Sequence, residues 1–109
     1  MNEKTARRIV NERADGFCER CGQYGTTIHH RKNRSQGGVW SPQNCVALCG
    51  DGVRLCHGWA TVEPKAAHAE GFKVWSFEDE AVRPIWHSTR RWLLLNEWGG
   101  YEEVCDAVG

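Results

Sequence analysis

The sequence predicts a small α+β domain that is cross-linked by metal, and three observations support this fold class. The chain has 109 residues, enough for one small domain, and six of them are cysteines. Apolar residues recur at helical spacing near the N-terminus, and two β-rich segments flank a glycine-containing loop in the middle of the chain. The C-terminal third alternates aromatic and polar residues, which is typical of β-hairpins.

The N-terminal segment 4–15, KTARRIVNERAD, predicts a short helix that ends at Gly16. One face of this helix is apolar and consists of Ala6, Ile9, Val10 and Ala14. The segment has no apolar stretch of the kind found in secretory signals, and no later segment is long and apolar enough for a membrane span. We therefore expect a soluble cytoplasmic protein with no membrane partner, in which clustered cysteines are more often metal ligands than disulfides.

The middle of the chain predicts a β-hairpin followed by a helix. TTIHH, residues 26–30, and NCVALC, residues 44–49, are rich in β-branched and apolar residues, and the loop between them contains Gly37 and Gly38. Past Cys56, the segment HGWATVEPKAAHAEG is helical in composition up to Gly71. Pro64 either opens a second helical segment or bends the first.

The C-terminal segment predicts β-hairpins that pack through tryptophans, with a turn at the Gly-Gly pair. We therefore divide the chain into a core with its N-terminal helix, residues 1–71, and a β-rich extension packed on that core, residues 72–109. The two parts are expected to form one compact domain.

Four of the six cysteines have the spacing of a structural zinc site. Cys18 and Cys21 form a CxxC knuckle, and Cys49 and Cys56 are separated by a flexible Gly-Asp-Gly loop. Four thiolates at tetrahedral positions would hold one structural Zn²⁺. Thioredoxin-like redox chemistry is the alternative for the CxxC pair, but no βαβ pattern surrounds it. The remaining two cysteines, Cys45 and Cys105, are assigned no role.

A second group of polar residues surrounds the predicted hairpin. His29 and His30 end its first strand, Asn44 opens its second, and His57 follows the last cysteine of the zinc set. Adjacent strand residues face opposite sides, so one histidine of the pair can bind a metal while the other has a different task. His57 is well placed to share a cation with His29. The other two histidines, His68 and His87, are interpreted as packed or solvated side chains.

The net charge of the chain is zero, but the charges are unevenly distributed. Residues 1–38 hold eight Lys and Arg against four Asp and Glu. The loop after the paired histidines carries Arg31, Lys32 and Arg34, which would place a positive surface beside them. This pattern indicates a binding surface for a polyanion, with an ordinary solvated basic loop as the alternative.

The joint pattern CERC, IHHRKNRSQGG, NCVALC and CHGW resembles the HNH endonucleases of the ββα-metal (His-Me) finger superfamily, particularly the small zinc-knuckle HNH proteins of bacteriophages. The resemblance covers about residues 15–71 and implies a ββα-metal finger that cleaves DNA. The sequence departs from the family pattern at two places. The pair Cys49 and Cys56 is more widely spaced than usual, and Thr61 stands where many relatives have another histidine.

The resemblance also implies the roles of the histidines and of Asn44. His30 takes the position of the general base, and His29 and His57 take those of the ligands of one catalytic divalent cation, Mg²⁺, Mn²⁺ or another transition metal. Asn44 would orient the loop or ring that aims His30. Cleavage of a DNA phosphodiester would then leave 5′-phosphate and 3′-hydroxyl ends. Arg31, Lys32 and Arg34 are expected to contact backbone phosphates without reading the base sequence.

Two other functions compete with this interpretation. A zinc-stabilised module could bind nucleic acid or protein without turnover, although binding alone does not need paired histidines with an asparagine. The nuclease could also act within an assembly, because the family resemblance suggests that phage HNH proteins can work with the DNA-packaging terminase. The aromatic, acidic extension would then be a docking surface, whereas its simpler role is to fill the core.

Overall fold

A computed structural model of the chain describes residues 1–104, so Cys105 and the end of the predicted extension lie outside the described part. Three α-helices and five strands follow one another in a mixed order within the described residues. They are α1 (Glu3–Ala14), β1 (Thr26–His30), β2 (Cys45–Cys49), α2 (Leu55–Val62), α3 (Pro64–Ala69), β3 (Ile85–His87), β4 (Arg91–Leu95) and β5 (Tyr101–Glu103). The fold is the predicted α+β class, and β1, β2 and α2 form a ββα unit.

Helix α1 confirms the predicted N-terminal helix. The side chain of Asn2 caps it by accepting a hydrogen bond from the Thr5 amide at 2.8 Å. The helix buries Ala6, Val10 and Ala14 on the face that the apolar spacing predicted. Charged residues occupy most of the remaining surface, so packing of one narrow stripe holds α1 on the hairpin.

The hairpin of β1 and β2 is antiparallel, and its register sets His30 opposite Cys45 and Thr26 opposite Cys49. The loop between the strands folds back on itself at Gly38, whose amide donates to the Asn33 carbonyl at 2.9 Å. A Cβ atom added at Gly38 would lie 1.8 Å from the Lys32 carbonyl oxygen. Only glycine fits this position, which is the tight return predicted for the loop.

Strand β2 is buried along its whole length because it lies between two apolar clusters. Cys45 and Ala47 face α1, where they pack with Val10 and Ala14. Side chains of the opposite face pack against the two later helices and the extension. Those of β2 itself are Val46 and Leu48, and Cys49 at the end of the strand packs with the same cluster. The thiol of Cys45 is therefore part of the α1-side core.

Pro64 opens a second helical segment, which is the first of the two predicted alternatives. Helix α2 begins at Leu55, slightly earlier than predicted, and α3 begins at Pro64 itself. Proline suits this first helical position because its missing N–H would have no intrahelical partner there.

Within residues 1–104, no helix combines the length and apolarity that crossing a bilayer would require.

The extension contains an antiparallel sheet in the order β3, β4, β5. The buried apolar side chains of the extension are aliphatic or phenyl groups, namely Phe72, Val74, Ile85, Leu93 and Leu95. All six tryptophans lie within the described residues and none is fully buried, with Trp98 82% exposed. Trp86 and Trp92 do pair across β3 and β4, with ring centroids 5.3 Å apart. The prediction that tryptophans fill the core is therefore confirmed only in part: Trp40 and Trp59 pack against core clusters, whereas in the extension the aliphatic residues point inward.

A buried carboxylate joins the extension to the core. Glu19 follows the first zinc-set cysteine and accepts from Arg13 on α1 at 2.9 Å and from the Tyr101 hydroxyl on β5 at 2.7 Å. Its own backbone carbonyl accepts from the Ser88 amide at 2.9 Å. Burial raises the pKa of the Tyr101 hydroxyl, which stays protonated and donates. The network fixes α1, the cysteine knuckle and β5 to one another.

Candidate functional site

The structure brings the four predicted zinc-binding cysteines together. The Sγ atoms of Cys18, Cys21, Cys49 and Cys56 all lie within 4.8 Å of one another. Those of Cys21 and Cys49 are 3.6 Å apart, close to the ~3.8 Å expected for two thiolates on one tetrahedral zinc. The amides of Arg20 and Cys21 both point at the Cys18 sulfur, each at 3.4 Å, as in a metal-binding knuckle. This donor set fits one structural metal ion.

The cysteine cluster is mostly buried, and its environment shifts the pKa of its thiols. Burial raises the pKa of the Cys49 and Cys56 thiols, so both are protonated at pH 7 without a metal, and a bound cation would have to displace these protons. The guanidinium of Arg20 donates to the Cys56 sulfur at 3.4 Å and lies over the Trp59 ring. Cys21 is the exposed member of the set.

The three predicted active-site histidines open onto one cleft of about 350 Å³. Both members of the adjacent pair reach it because β1 ends at His30. No carboxylate lies among the described residues that line the cleft. The lining residues are Ile28, His29, His30, Asn33, Arg34, His57, Ala60, Thr61, Pro64 and Lys73.

One ring nitrogen of His29 is hydrogen-bonded, and the other keeps a free lone pair. Its Nε2 lies 2.8 Å from the Phe72 carbonyl oxygen. A carbonyl only accepts, so Nε2 carries the proton and Nδ1 keeps a lone pair. Burial, partly offset by this hydrogen bond, lowers the pKa of His29 to about 4, so the ring is neutral at pH 7. A neutral imidazole with one free nitrogen is a good metal ligand.

His57 is oriented by a hydroxyl group of β1. The Thr27 Oγ1 atom lies 2.6 Å from His57 Nδ1 and 2.8 Å from the Gly50 carbonyl oxygen. The carbonyl takes the single hydroxyl proton, so the imidazole must donate from Nδ1 and keep its lone pair on Nε2. His29 and His57 therefore adopt opposite tautomers, and their ring centroids are 5.1 Å apart.

His30 occupies a different environment from its neighbour. Its ring packs edge-on against Trp40 with centroids 4.3 Å apart. The buried Nε2 has no hydrogen-bond partner among the described residues. Burial, together with the positive charges of Arg34 and Arg7, lowers the pKa of His30 below its usual value. The neutral ring can therefore accept a proton at pH 7.

Asn44 is completely buried and fastens the loop that follows His30. Its Oδ1 accepts from the Lys32 amide at 2.8 Å, and its Nδ2 donates to the carbonyls of Lys32 and Val39 at 3.0 Å each. The Asn44 backbone carbonyl also accepts from the Arg31 amide at 2.8 Å. The side chain thus fixes both ends of the loop and does not itself line the cleft.

The structure corrects the predicted DNA-contacting role of Arg31, because this side chain is completely buried. Its guanidinium donates to four backbone carbonyls and so ties the hairpin loop to the start of the extension. Burial lowers the pKa of Arg31 to about 10, and the group remains charged at pH 7. The four acceptors belong to Gln43, Gly71, Glu80 and Arg83.

The two other basic residues of the loop differ in availability. Lys32 is largely buried, donates to the Glu78 carbonyl and lies 3.3 Å from a Glu80 carboxylate oxygen, so its charge is already paired. Arg34 is exposed at the rim of the cleft, with its guanidinium 5.8 Å from the Trp40 ring centre. Of the three predicted DNA contacts, Arg34 alone is exposed, and its role stays a prediction.

Three residues of the site were not predicted from the sequence. Thr27 orients His57, Trp40 packs on His30, and Lys73 lines the cleft although it is only 8% exposed. A lysine inside the apolar run GFKV is the signal that could have indicated Lys73. Thr27 and Trp40 carry no comparable sequence signal.

A comparison with known families finds a match over most of this region. Residues 18–58 match the family described as HNH endonuclease. The matched segment contains the four clustered cysteines, both strands of the hairpin and all three histidines of the cleft, whereas Lys73 lies beyond it. No curated protein and no solved structure matches the chain.

Proposed function

We propose that this protein, whose residues 18–58 match the HNH endonucleases, is a metal-dependent endonuclease that hydrolyses DNA phosphodiester bonds. One observation carries the proposal. His29 and His57 each keep one ring nitrogen free, and both residues line the cleft that also holds His30. A module that only binds DNA needs neither two histidines with fixed tautomers nor a third histidine that can act as a general base.

The residues of the cleft fit a divalent cation. Nδ1 of His29 and Nε2 of His57 are the nitrogens that would hold it, because the other nitrogen of each ring is engaged. When bound, the cation supplies a positive charge that stabilises the phosphorane and the leaving oxygen. The hydroxyl of Thr61 donates to the His57 carbonyl at 3.1 Å, so it is engaged in a hydrogen bond within α2. Mg²⁺, Mn²⁺ and other transition metals are the candidates.

His30 is the proposed general base. Its Nε2 is buried, so Nδ1 is the nitrogen that would take a proton from water in the cleft. The water oxygen then bonds to phosphorus while the bond from phosphorus to the 3′ oxygen breaks. The products carry a 5′-phosphate and, after the leaving oxygen is protonated, a 3′-hydroxyl. Asn44 positions His30 indirectly by fixing the loop that carries Trp40.

The proposal is tested by plasmid relaxation with a panel of divalent cations and the zinc-loaded protein. We expect supercoiled plasmid to be nicked or linearised only when a cation is added. The nicks should be sealed by DNA ligase without prior treatment, because ligase requires a 5′-phosphate beside a 3′-hydroxyl. Absence of cleavage with every cation would instead favour the alternative, a catalytically silent zinc-stabilised binding module.

Substitution of the loop arginines should separate DNA binding from stability. Arg34→Ala should weaken DNA binding about equally on all sequences and reduce the log–log salt slope by up to ~0.9, the value for one phosphate interaction, with unchanged unfolding. Arg31→Met should destabilise the fold by about 3 kcal/mol or more, because four buried carbonyls lose their donor. Fluorescence anisotropy at several salt concentrations and thermal melting measure the two effects. A shallower salt slope in a folded Arg31 variant would contradict this assignment.

The tautomer of His57 gives a second prediction. Thr27→Val keeps the shape of the side chain but removes the hydroxyl that lies between His57 and the Gly50 carbonyl. We expect divalent-cation affinity to fall by about 10–100-fold, as for other residues that orient a metal ligand. Thr27→Ser is the matched control and should keep the affinity. Titration calorimetry with Mn²⁺ on zinc-loaded protein measures it, and equal affinities in both variants would contradict the role.

The extension is proposed as the part that could dock with phage terminase or other packaging proteins. Trp98 and Phe77 support this because they are 82% and 84% exposed. Glu97 and Glu102 accompany Trp98 in one shallow surface. Pull-down with purified packaging proteins tests this proposed partner, and the result is independent of the nuclease proposal.

A further inference from the structure

Lys73 enters the cleft from outside the segment that matches the HNH family. The backbone on both sides of it is fixed to the end of β1. The Phe72 carbonyl accepts from His29 Nε2, and the Val74 amide donates to the Arg31 carbonyl, each at 2.8 Å. The intervening side chain lines the cleft with the three histidines and is 8% exposed.

The Lys73 residue is largely buried, and its ammonium group is poorly satisfied among the described residues. Its hydrogen bond among the described residues is a long one, 3.4 Å to the side-chain oxygen of Gln36. Other buried cations of the chain are well paired: Arg13 with the Glu19 carboxylate and Arg31 with four carbonyls. Because burying a charge without a partner is costly, the arrangement indicates that an anion completes the site.

We propose that Lys73 binds a non-bridging oxygen of the scissile phosphodiester in the cleft, as a catalytic residue of the reaction inferred above. This assignment rests on the proposed nuclease function. The anion is supplied by the DNA, since no carboxylate lines the described part of the cleft. Lys73 also acts electrostatically on His29, whose pKa is lowered mainly by burial and further by the charge of Lys73.

The position of Lys73 couples the cation to the DNA. Without DNA, its positive charge repels a divalent cation held by His29 and His57. A phosphate placed between the two would be attracted by both and would relieve that repulsion. Removing the charge of Lys73 should therefore have opposite effects on the two ligands, which is not expected of a residue that only fills space.

The test compares Lys73→Gln with the parent protein and with Lys65→Gln, which removes the charge of an exposed lysine on α3. For Lys73→Gln we expect Mn²⁺ affinity without DNA, measured by calorimetry, to rise about 3–10-fold. In a His30→Ala background that prevents cleavage, duplex DNA should bind about 10-fold more weakly in the presence of Mn²⁺. Plasmid cleavage by the single variant should fall about 10²-fold. Lys65→Gln should resemble the parent in all three assays.

A second variant keeps the test decisive. Lys73→Met retains the apolar stem and should show the same three changes, whereas Lys73→Arg should retain most of the coupling. Unchanged or weaker Mn²⁺ binding by folded Lys73→Gln, combined with cleavage at the parent rate, overturns the assignment of Lys73 and leaves the nuclease function standing. A parent protein that cuts no DNA with any cation overturns both.

Discussion

His30→Ala is expected to lower the rate of DNA cleavage by about 10²–10⁴-fold while the protein stays folded and keeps its zinc and its affinity for DNA. The substitution removes proton abstraction and little else, because the His30 ring is half-buried and makes no hydrogen bond through Nε2. The cysteine cluster and the cation-binding nitrogens belong to other residues. Plasmid relaxation at saturating Mg²⁺ or Mn²⁺ measures the rate, and thermal melting and elemental analysis check fold and zinc.

His57→Ala is the matched comparison for His30→Ala. It removes a proposed ligand that is likewise half-buried, so its cost to the fold should be similar. Its activity should be partly restored by added cation, whereas His30→Ala should not respond. His29 is better replaced by Gln than by Ala, since an amide can still donate to the Phe72 carbonyl. Cleavage by His30→Ala at the parent rate would show that another group activates the water.

Local sequence signals predicted the elements that depend on neighbouring residues. Helix α1 follows from apolar spacing and begins beside Asn2, and the hairpin follows from two β-rich segments joined through Gly38. The role of the tryptophans was not predictable in this way. Which side of β4 faces inward depends on its pairing with β3 and β5, and those contacts bury Leu93 and Leu95 while Trp92 stays 41% exposed.

The residues of the site fall into the same two groups: those that local spacing predicts and those whose role depends on distant contacts. Residue spacing predicted the cysteines and the histidines of the cleft as site residues, because metal sites use fixed residue types at short separations. Arg31 was misassigned since its acceptors at Gly71, Glu80 and Arg83 lie 40 or more residues away along the chain. Lys73 was missed for the same reason: it reaches the cleft only because residues 72–74 lie beside β1.

Cys21→Ser should abolish zinc binding and unfold the protein. Cys21 is the exposed member of the cysteine cluster, so the replacement removes little packing and its effect reports on the metal. Structural zinc contributes ~10–16 kcal/mol of apparent binding free energy that is coupled to folding. A domain of this size has only about 5–15 kcal/mol of total stability, so weakening the site by one ligand should be enough to lose the fold. Elemental analysis should find one zinc per parent chain and much less in the variant, with loss of the cooperative melting transition.

Cys45→Ala is the control that separates the loss of zinc from the loss of a thiol. Cys45 is completely buried in the cluster against α1, so its replacement should cost stability through packing alone, about 1 kcal/mol, and leave one zinc bound. The more exposed cysteine is thus expected to be the more damaging to replace, the reverse of what burial alone predicts. A Cys21→Ser protein that melts cooperatively near the parent temperature without metal would show that the extension and the Glu19 network hold the fold without zinc, because these are the other long-range links of the knuckle.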